Sequence, residues 1–195
     1  ACPFGAIDAR RSIVPVIMSI KTGSKVIAMV APSIVGQFGL KVKADQIYTA
    51  LKMAGFADVV EVAIGADIVS VEEAEEYIEK VPAKQPFMTS SCCPAFVNIV
   101  KKYVPDAADK VSHTVSPMVA TGRWLKEQYP DATTVFIGPC IAKKGEAKGY
   151  PEYIDYVLTF EEAMCLMEGK DIKVENVEAA EFERDGSKIG LGFPL

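Results

Sequence analysis

With one histidine among 195 residues and no Cys-x-x-Cys pair, the chain lacks the usual donor pattern of a zinc module or a thiol-redox centre. No apolar run approaches the roughly 20 residues of a membrane helix, and no basic stripe of the kind that tracks nucleic acid is present. The N-terminus shows no basic flank leading into an apolar stretch, so nothing there reads as a secretion signal. Internal repeats and low-complexity tracts are also missing. The expectation is a cytoplasmic protein that engages neither nucleic acid nor a membrane. What is present is a half-apolar composition with a net charge of −5 and interspersed charges, enough to bury a proper core. Five cysteines, an odd number without a secretion signal, favour reduced thiols or metal ligation over a disulfide framework.

Those cysteines are arranged informatively. Thr89 to Phe96 reads Thr-Ser-Ser-Cys-Cys-Pro-Ala-Phe. Adjacent cysteines cannot easily pair with each other, and the following proline forces Cys93 into an extended or turn conformation, so the two thiols are presented together at a bend. Pro86 to Thr89 reads as the end of a short buried strand, and Phe96, Val97, Val100 and Tyr103 recur at helical spacing. A second motif, Gly-Pro-Cys-Ile-Ala-Lys-Lys-Gly-Glu from Gly138 to Glu146, has the same plan of strand, turn, thiol and helix. The thiols alone are compatible with small apolar core residues. Two strand-end cysteines from distant parts of the chain suggest instead a shared soft ligand, an iron–sulfur cluster or zinc.

The remaining periodicity alternates strands and helices. Strands are expected at 26–30, 59–63, around Met88, at 133–137 and at 153–158. Helices are expected at 12–21, at 44–54 with Gly55 closing it, at 68–81 with Val71, Ala74 and Ile78 inward, at 95–103, at 116–129 and at 160–167. The expected fold is α/β, a parallel sheet with right-handed crossovers flanked by helices, forming a first lobe over 10–115 and an incomplete second lobe over 116–195. Cys165, spaced with Ala163 and Met167, is expected in the core. His113 reads as a hydrogen-bonded structural residue. Ala-Cys-Pro at the N-terminus is similar to the tail of a bacterial 4Fe4S ferredoxin motif, which makes residues 1–9 a remnant of an upstream ferredoxin domain and Cys2 an orphan ligand.

The two cysteine motifs together resemble the first two signatures of the iron-only (di-iron) hydrogenases, and Ala31-Pro-Ser33 and Ser112-His-Thr-Val-Ser-Pro117 match further segments of that family's active-site domain. The resemblance covers nearly the whole chain. It implies a 4Fe4S cluster joined to a di-iron subcluster, with reversible reduction of protons to hydrogen. It implies that Cys93 and Cys140 are two of four cubane ligands, that Cys92 is the proton-passing thiol, and that Lys143 is the cation facing the di-iron centre. Ala31, Pro32, Ser91, Ser116 and Met118 would line the same pocket, and Glu73, Ser112 and Glu76 would carry protons outward. A ferredoxin or flavodoxin-type electron donor and hydrogenase maturation proteins would be partners.

Departures accompany the match. Gly138 stands where many members have methionine, and Met118 where many have glutamine. No cysteine follows Cys165, so the third signature with two further ligands is absent. The chain by itself is therefore expected to be apo and inactive, and an unpaired strand edge is expected to favour a homodimer. The rivals are a hydrogenase-like sensory or cluster-assembly protein, which would lose Cys92 or Lys143, and a zinc or thiol-redox module.

Overall fold

A computed structural model describes residues 9–180, 186, 187 and 190. Cys2 and the segment similar to a ferredoxin tail lie outside the described residues.

Val26–Val30 (β1) has no polar side chain and is buried at every position, as a strand covered on both faces requires. It is flanked by Asp58–Glu61 (β2) and Thr133–Gly138 (β3), and Tyr156–Thr159 (β4) completes a parallel sheet of order β2-β1-β3-β4. Val30 is in register with Glu61 on one side and Ile137 on the other. The strands before and after residue 115 thus belong to one sheet, with β1 directly beside β3. The chain winds to one side after β1 and to the other after β3, so their carboxyl ends diverge and leave a crevice, where open α/β sheets bind ligands.

Helices Ile13–Lys21 (α1), Ala44–Met53 (α2), Ala63–Lys80 (α3), Pro94–Tyr103 (α4), Pro117–Gln128 (α5), Ala142–Ala147 (α6) and Phe160–Glu168 (α7) surround the sheet. Ile47 and Leu51 of α2, Met118 and Leu125 of α5 and Met167 of α7 are fully buried in the main core with Ile27, Met29 and Ile137. Each such side chain contributes about 1.5–3 kcal/mol of transfer free energy. Gly55, at φ +107°, ends α2 in the left-handed region where a side chain would be strained. Buried Glu162 ties three elements together: it accepts from Ser12 N (3.0 Å) ahead of α1, from Lys144 Nζ (2.6 Å) on α6, and from Thr159 N (2.8 Å) at the start of its own helix.

Three expectations are corrected. The stretch around Met88 is not a strand of the sheet. Thr89 makes a lone parallel bridge to Val111, with Thr89 N donating to Lys110 O (2.9 Å) and Ser112 N to Thr89 O (2.7 Å). Prolines at 82 and 86 precede the segment and remove backbone donors, and Phe87 is exposed, so the stretch has no sheet face to join.

Helix α3 starts five residues earlier than its periodicity suggests, and Gly65 in its first turn is a contact residue. A Cβ there would lie 2.2 Å from Pro117 O and 2.8 Å from Thr121 N, so its absence lets α3 close onto α5. The inward face of α3 also differs: Ala63, Ala66 and Val69 are buried, while Val71, Ala74 and Ile78 are exposed. Beyond Val69 the partly buried positions are the polar Ser70, Glu73, Glu76 and Lys80.

Cys165 is exposed. It lies two residues from both Ala163 and Met167, about 200° around the helix from each, and the buried face of α7 runs through Phe160, Ala163 and Met167.

Candidate active site

The crevice at the carboxyl ends of β1 and β3 encloses a cavity of about 260 Å³. Ala31 and Pro32 come to it from the end of β1, where Ala31 N donates to Ile137 O at 2.9 Å and holds the two diverging loops together. Cys140 comes from the Gly-Pro turn after β3, Lys143 from α6 one turn on, and Met118 from the start of α5. Cys92 and Cys93 complete the wall from the N-terminus of α4, with Cys93 as its N-cap and Pro94 as its first residue. Pro94 needs no backbone donor there, and the helix terminus favours the negative charge of a thiolate ligand.

Cys92, Cys93, Cys140 and Lys143 thus line one cavity. Ser91 and Ser116 are placed elsewhere: they line an adjoining cleft of about 570 Å³ together with Ser112, His113 and Thr114. Ser116 is fully buried, and its hydroxyl has no hydrogen-bond partner among the described residues. Gly138 leaves room by its size, since a Cβ there would come within 2.5 Å of the Phe136 ring.

Lys143 is 9% exposed, and its ammonium is held inside the protein. It donates to the Cys92 carbonyl at 3.0 Å and to Glu146 Oε2 at 2.8 Å, which leaves one N–H of three unassigned.

A continuous polar chain runs away from the cysteines. Ser91 N donates to Glu73 Oε1 (3.1 Å), and Thr114 Oγ1 donates to the same oxygen (3.3 Å). Ser91 Oγ donates to the Thr114 carbonyl (2.5 Å), and the Thr114 and Ser112 hydroxyls are 2.9 Å apart. Ser112 Oγ then donates to Glu76 Oε2 at 2.6 Å. Beyond it, Glu76 Oε1 receives Lys80 Nζ at 2.6 Å, and His113 Nδ1 lies 2.8 Å from the same oxygen. Burial works to raise the Glu76 carboxyl, but hydrogen bonds from Lys80, Ser112 and His113 outweigh it and bring it down to about 2.

Sequence reasoning placed Glu73, Ser112 and Glu76 on this path and missed Thr114, the hydroxyl that joins them. The alternation Ser-His-Thr is the signal that points to it, since in an extended segment the residues at 112 and 114 share a side.

The donor set fits part of a cluster site. Two soft sulfur donors, Cys93 and Cys140, line one largely apolar cavity with the buried Lys143 beside them. Among the described residues, no group of three or more cysteine, histidine or carboxylate side chains is close enough to hold a metal ion. No helix among them is long and apolar enough to cross a membrane.

The sequence profile described as the iron only hydrogenase large subunit, C-terminal domain, matches residues 24–194. Iron hydrogenase 1 of Clostridium pasteurianum is 32% identical over 193 residues, covering 86% of this chain and 33% of that protein. The NADP-reducing hydrogenase subunit HndD of Solidesulfovibrio fructosivorans is 26% identical over 213 residues, covering 93% and 36%. The chain spans about a third of the length of these relatives. An apo FeFe-hydrogenase from Chlamydomonas reinhardtii has the same fold, with a TM-score of 0.78 at 23% identity over 93% of this chain and 54% of that structure.

Proposed function

This chain belongs to the iron-only hydrogenase family, and from that premise we propose that it forms part of an enzyme interconverting protons, electrons and hydrogen. Cys93 and Cys140 would supply two of the four thiolates that hold a 4Fe4S cluster. When bound, the cluster and its di-iron partner store the electrons and provide the atoms at which protons are reduced. Ala31, Pro32 and Met118 exclude water from that group, and Ser91 and Ser116 support the same wall from the adjoining cleft. Gly138 and Met118, small and thioether where many members carry methionine and glutamine, alter its surroundings.

Lys143 offers its remaining N–H to the bound group while Glu146 and the Cys92 carbonyl hold it in place. Cys92 gives up and recovers a proton at its sulfur. Glu73, Ser112 and Glu76, linked through Thr114, connect it with solvent. Cys2 belongs to an upstream ferredoxin-type domain that passes electrons in, and a ferredoxin or flavodoxin-type donor and maturation proteins complete the system. By itself the chain is apo and inactive, since two thiolates do not secure a cubane, and its exposed sheet edge favours a homodimer.

The observation that carries this reading is the meeting of Cys92, Cys93, Cys140 and Lys143 at one crevice. The sensory and cluster-assembly alternative is disfavoured by the presence of both Cys92 and Lys143. Anaerobic reconstitution with iron and sulfide, followed by electron paramagnetic resonance, tests the ligand assignment. This chain should hold no stable 4Fe4S signal, whereas a matured hydrogenase that contains it should, and should evolve hydrogen from a reduced viologen. Cys93→Ala or Cys140→Ala in that enzyme should abolish the signal. A stable cubane on the chain alone, or a matured enzyme unaffected by both substitutions, would overturn the assignment.

A further inference from the structure

The polar chain from Ser91 to Glu76 ends at His113, in the segment between α4 and α5. His113 is anchored by its backbone, whose N–H lies 3.1 Å from each Glu76 oxygen, and its side chain is 74% exposed. Its Nδ1 is 2.8 Å from Glu76 Oε1 and 2.8 Å from Lys80 Nζ. One ring nitrogen cannot serve both neighbours at once. The ammonium has no lone pair and can only donate, so it requires a bare Nδ1, while the carboxylate can only accept and requires Nδ1–H. The other charged groups on the cleft that His113 lines are Lys101 of α4 and Glu146 of α6.

We propose that His113 is the proton-exchange residue at the outer end of this chain, changing its Nδ1 partner between Glu76 and Lys80 as each proton passes. This rests on the proton path of the proposed function. A solvent proton binds the exposed Nε2 of a ring whose Nδ1–H is donated to Glu76, making an imidazolium. The Nδ1 proton moves to Glu76 Oε1, and the ring is left neutral with its hydrogen on Nε2. The bare Nδ1 then accepts from Lys80, and exchange of the ring hydrogen through solvent restores the first tautomer. One proton enters and one leaves the ring, and no electron moves. The carboxyl that receives it is already bonded inward, its Oε2 to Ser112 Oγ at 2.6 Å. An imidazole suits the position because it is the side chain that gains and loses protons near neutrality.

His113 is the only histidine in the sequence, so a ¹⁵N spectrum of imidazole-labelled protein reports it alone. In the unaltered chain at alkaline pH, Nε2 should carry the hydrogen with Nδ1 accepting, and Lys80→Met should shift the ring toward a mixture of tautomers. On acidification an Nδ1–H donor signal should appear that Glu76→Gln weakens. In a matured hydrogenase containing the chain, His113→Ala should lower turnover roughly three- to tenfold. It should also change the pH profile and leave the cluster spectrum intact, and added imidazole should restore the rate. A ring tautomer indifferent to Lys80→Met and Glu76→Gln, or a His113→Ala enzyme with unchanged rate and pH profile, overturns the inference. An unaltered matured enzyme that makes no hydrogen removes the proposed function instead, while the tautomer result still decides whether His113 exchanges partners.

Discussion

The Lys143 ammonium donates to the backbone carbonyl of Cys92 at 3.0 Å, joining the two cysteine motifs across 51 positions of sequence. Glu146, one turn along α6, takes a second N–H at 2.8 Å. Lys143 is thus a brace between α6 and the Cys-Cys bend before it is anything else.

Replacing Lys143 with methionine keeps the stem and removes the brace. It leaves the Glu146 carboxylate, 13% exposed, without its partner. The expected loss is about 1–3 kcal/mol, read as a lower urea midpoint at unchanged slope. Lys143→Met with an unaltered midpoint would show that the ammonium does not hold the bend.

Glu76 gives the fold a defined acid response. Its carboxyl is lowered from 4.5 to about 2 in the folded state, so the folded protein binds this proton less readily than the unfolded chain. The stabilisation is full above about pH 4.5 and is lost as pH falls toward 2. Allowing for partial solvent screening of its contacts with Lys80 and His113, the amount is on the order of 2 kcal/mol. Urea unfolding measured from pH 6 to pH 2 should show this loss, and Glu76→Gln should flatten the curve over that window.

Two glycines should respond oppositely to alanine. At Gly65 the new methyl meets Pro117 O at 2.2 Å, pushing α3 away from α5, and roughly 1–3 kcal/mol of overpacking is expected. At Gly145, within α6, nothing lies within 4 Å, and alanine should stabilise by about 0.5–1 kcal/mol through helix propensity. Thermal denaturation of the two variants checks the pair, and equal effects would contradict the packing described.

Cys165 offers a control for thiol chemistry. Because it is exposed on α7, Cys165→Ser should change stability by no more than about 0.5 kcal/mol and leave iron uptake unaltered. A thiol-reactive reagent should label Cys165 in the folded protein and fail to label the serine variant at that position.

The legible part of this protein was local. The unbroken apolar run at 26–30 could only be a strand buried on both faces, and Gly-Pro-Cys after an apolar strand could only be a strand-end turn. The illegible part lay where tertiary contact overrides pattern. The apolar stripe Val71, Ala74 and Ile78 predicts one inward face for α3, yet Glu73, Glu76 and Lys80 are the residues turned toward Thr114, Ser112 and His113 respectively. Periodicity registers hydrophobicity, and it is blind to carboxylates that are paid for by a hydrogen-bond network.

From residue order alone follow the α/β class and the kinship carried by two cysteine motifs, because those depend on side-chain identity and short-range spacing. The strand order, which sets β1 beside β3 and so brings Cys92, Cys93, Cys140 and Lys143 to one crevice, was settled only by the tertiary structure. So was the link from Ser91 through Thr114 to Glu76 and His113. Both depend on which distant segments become neighbours once the sheet has formed, and no local preference encodes that.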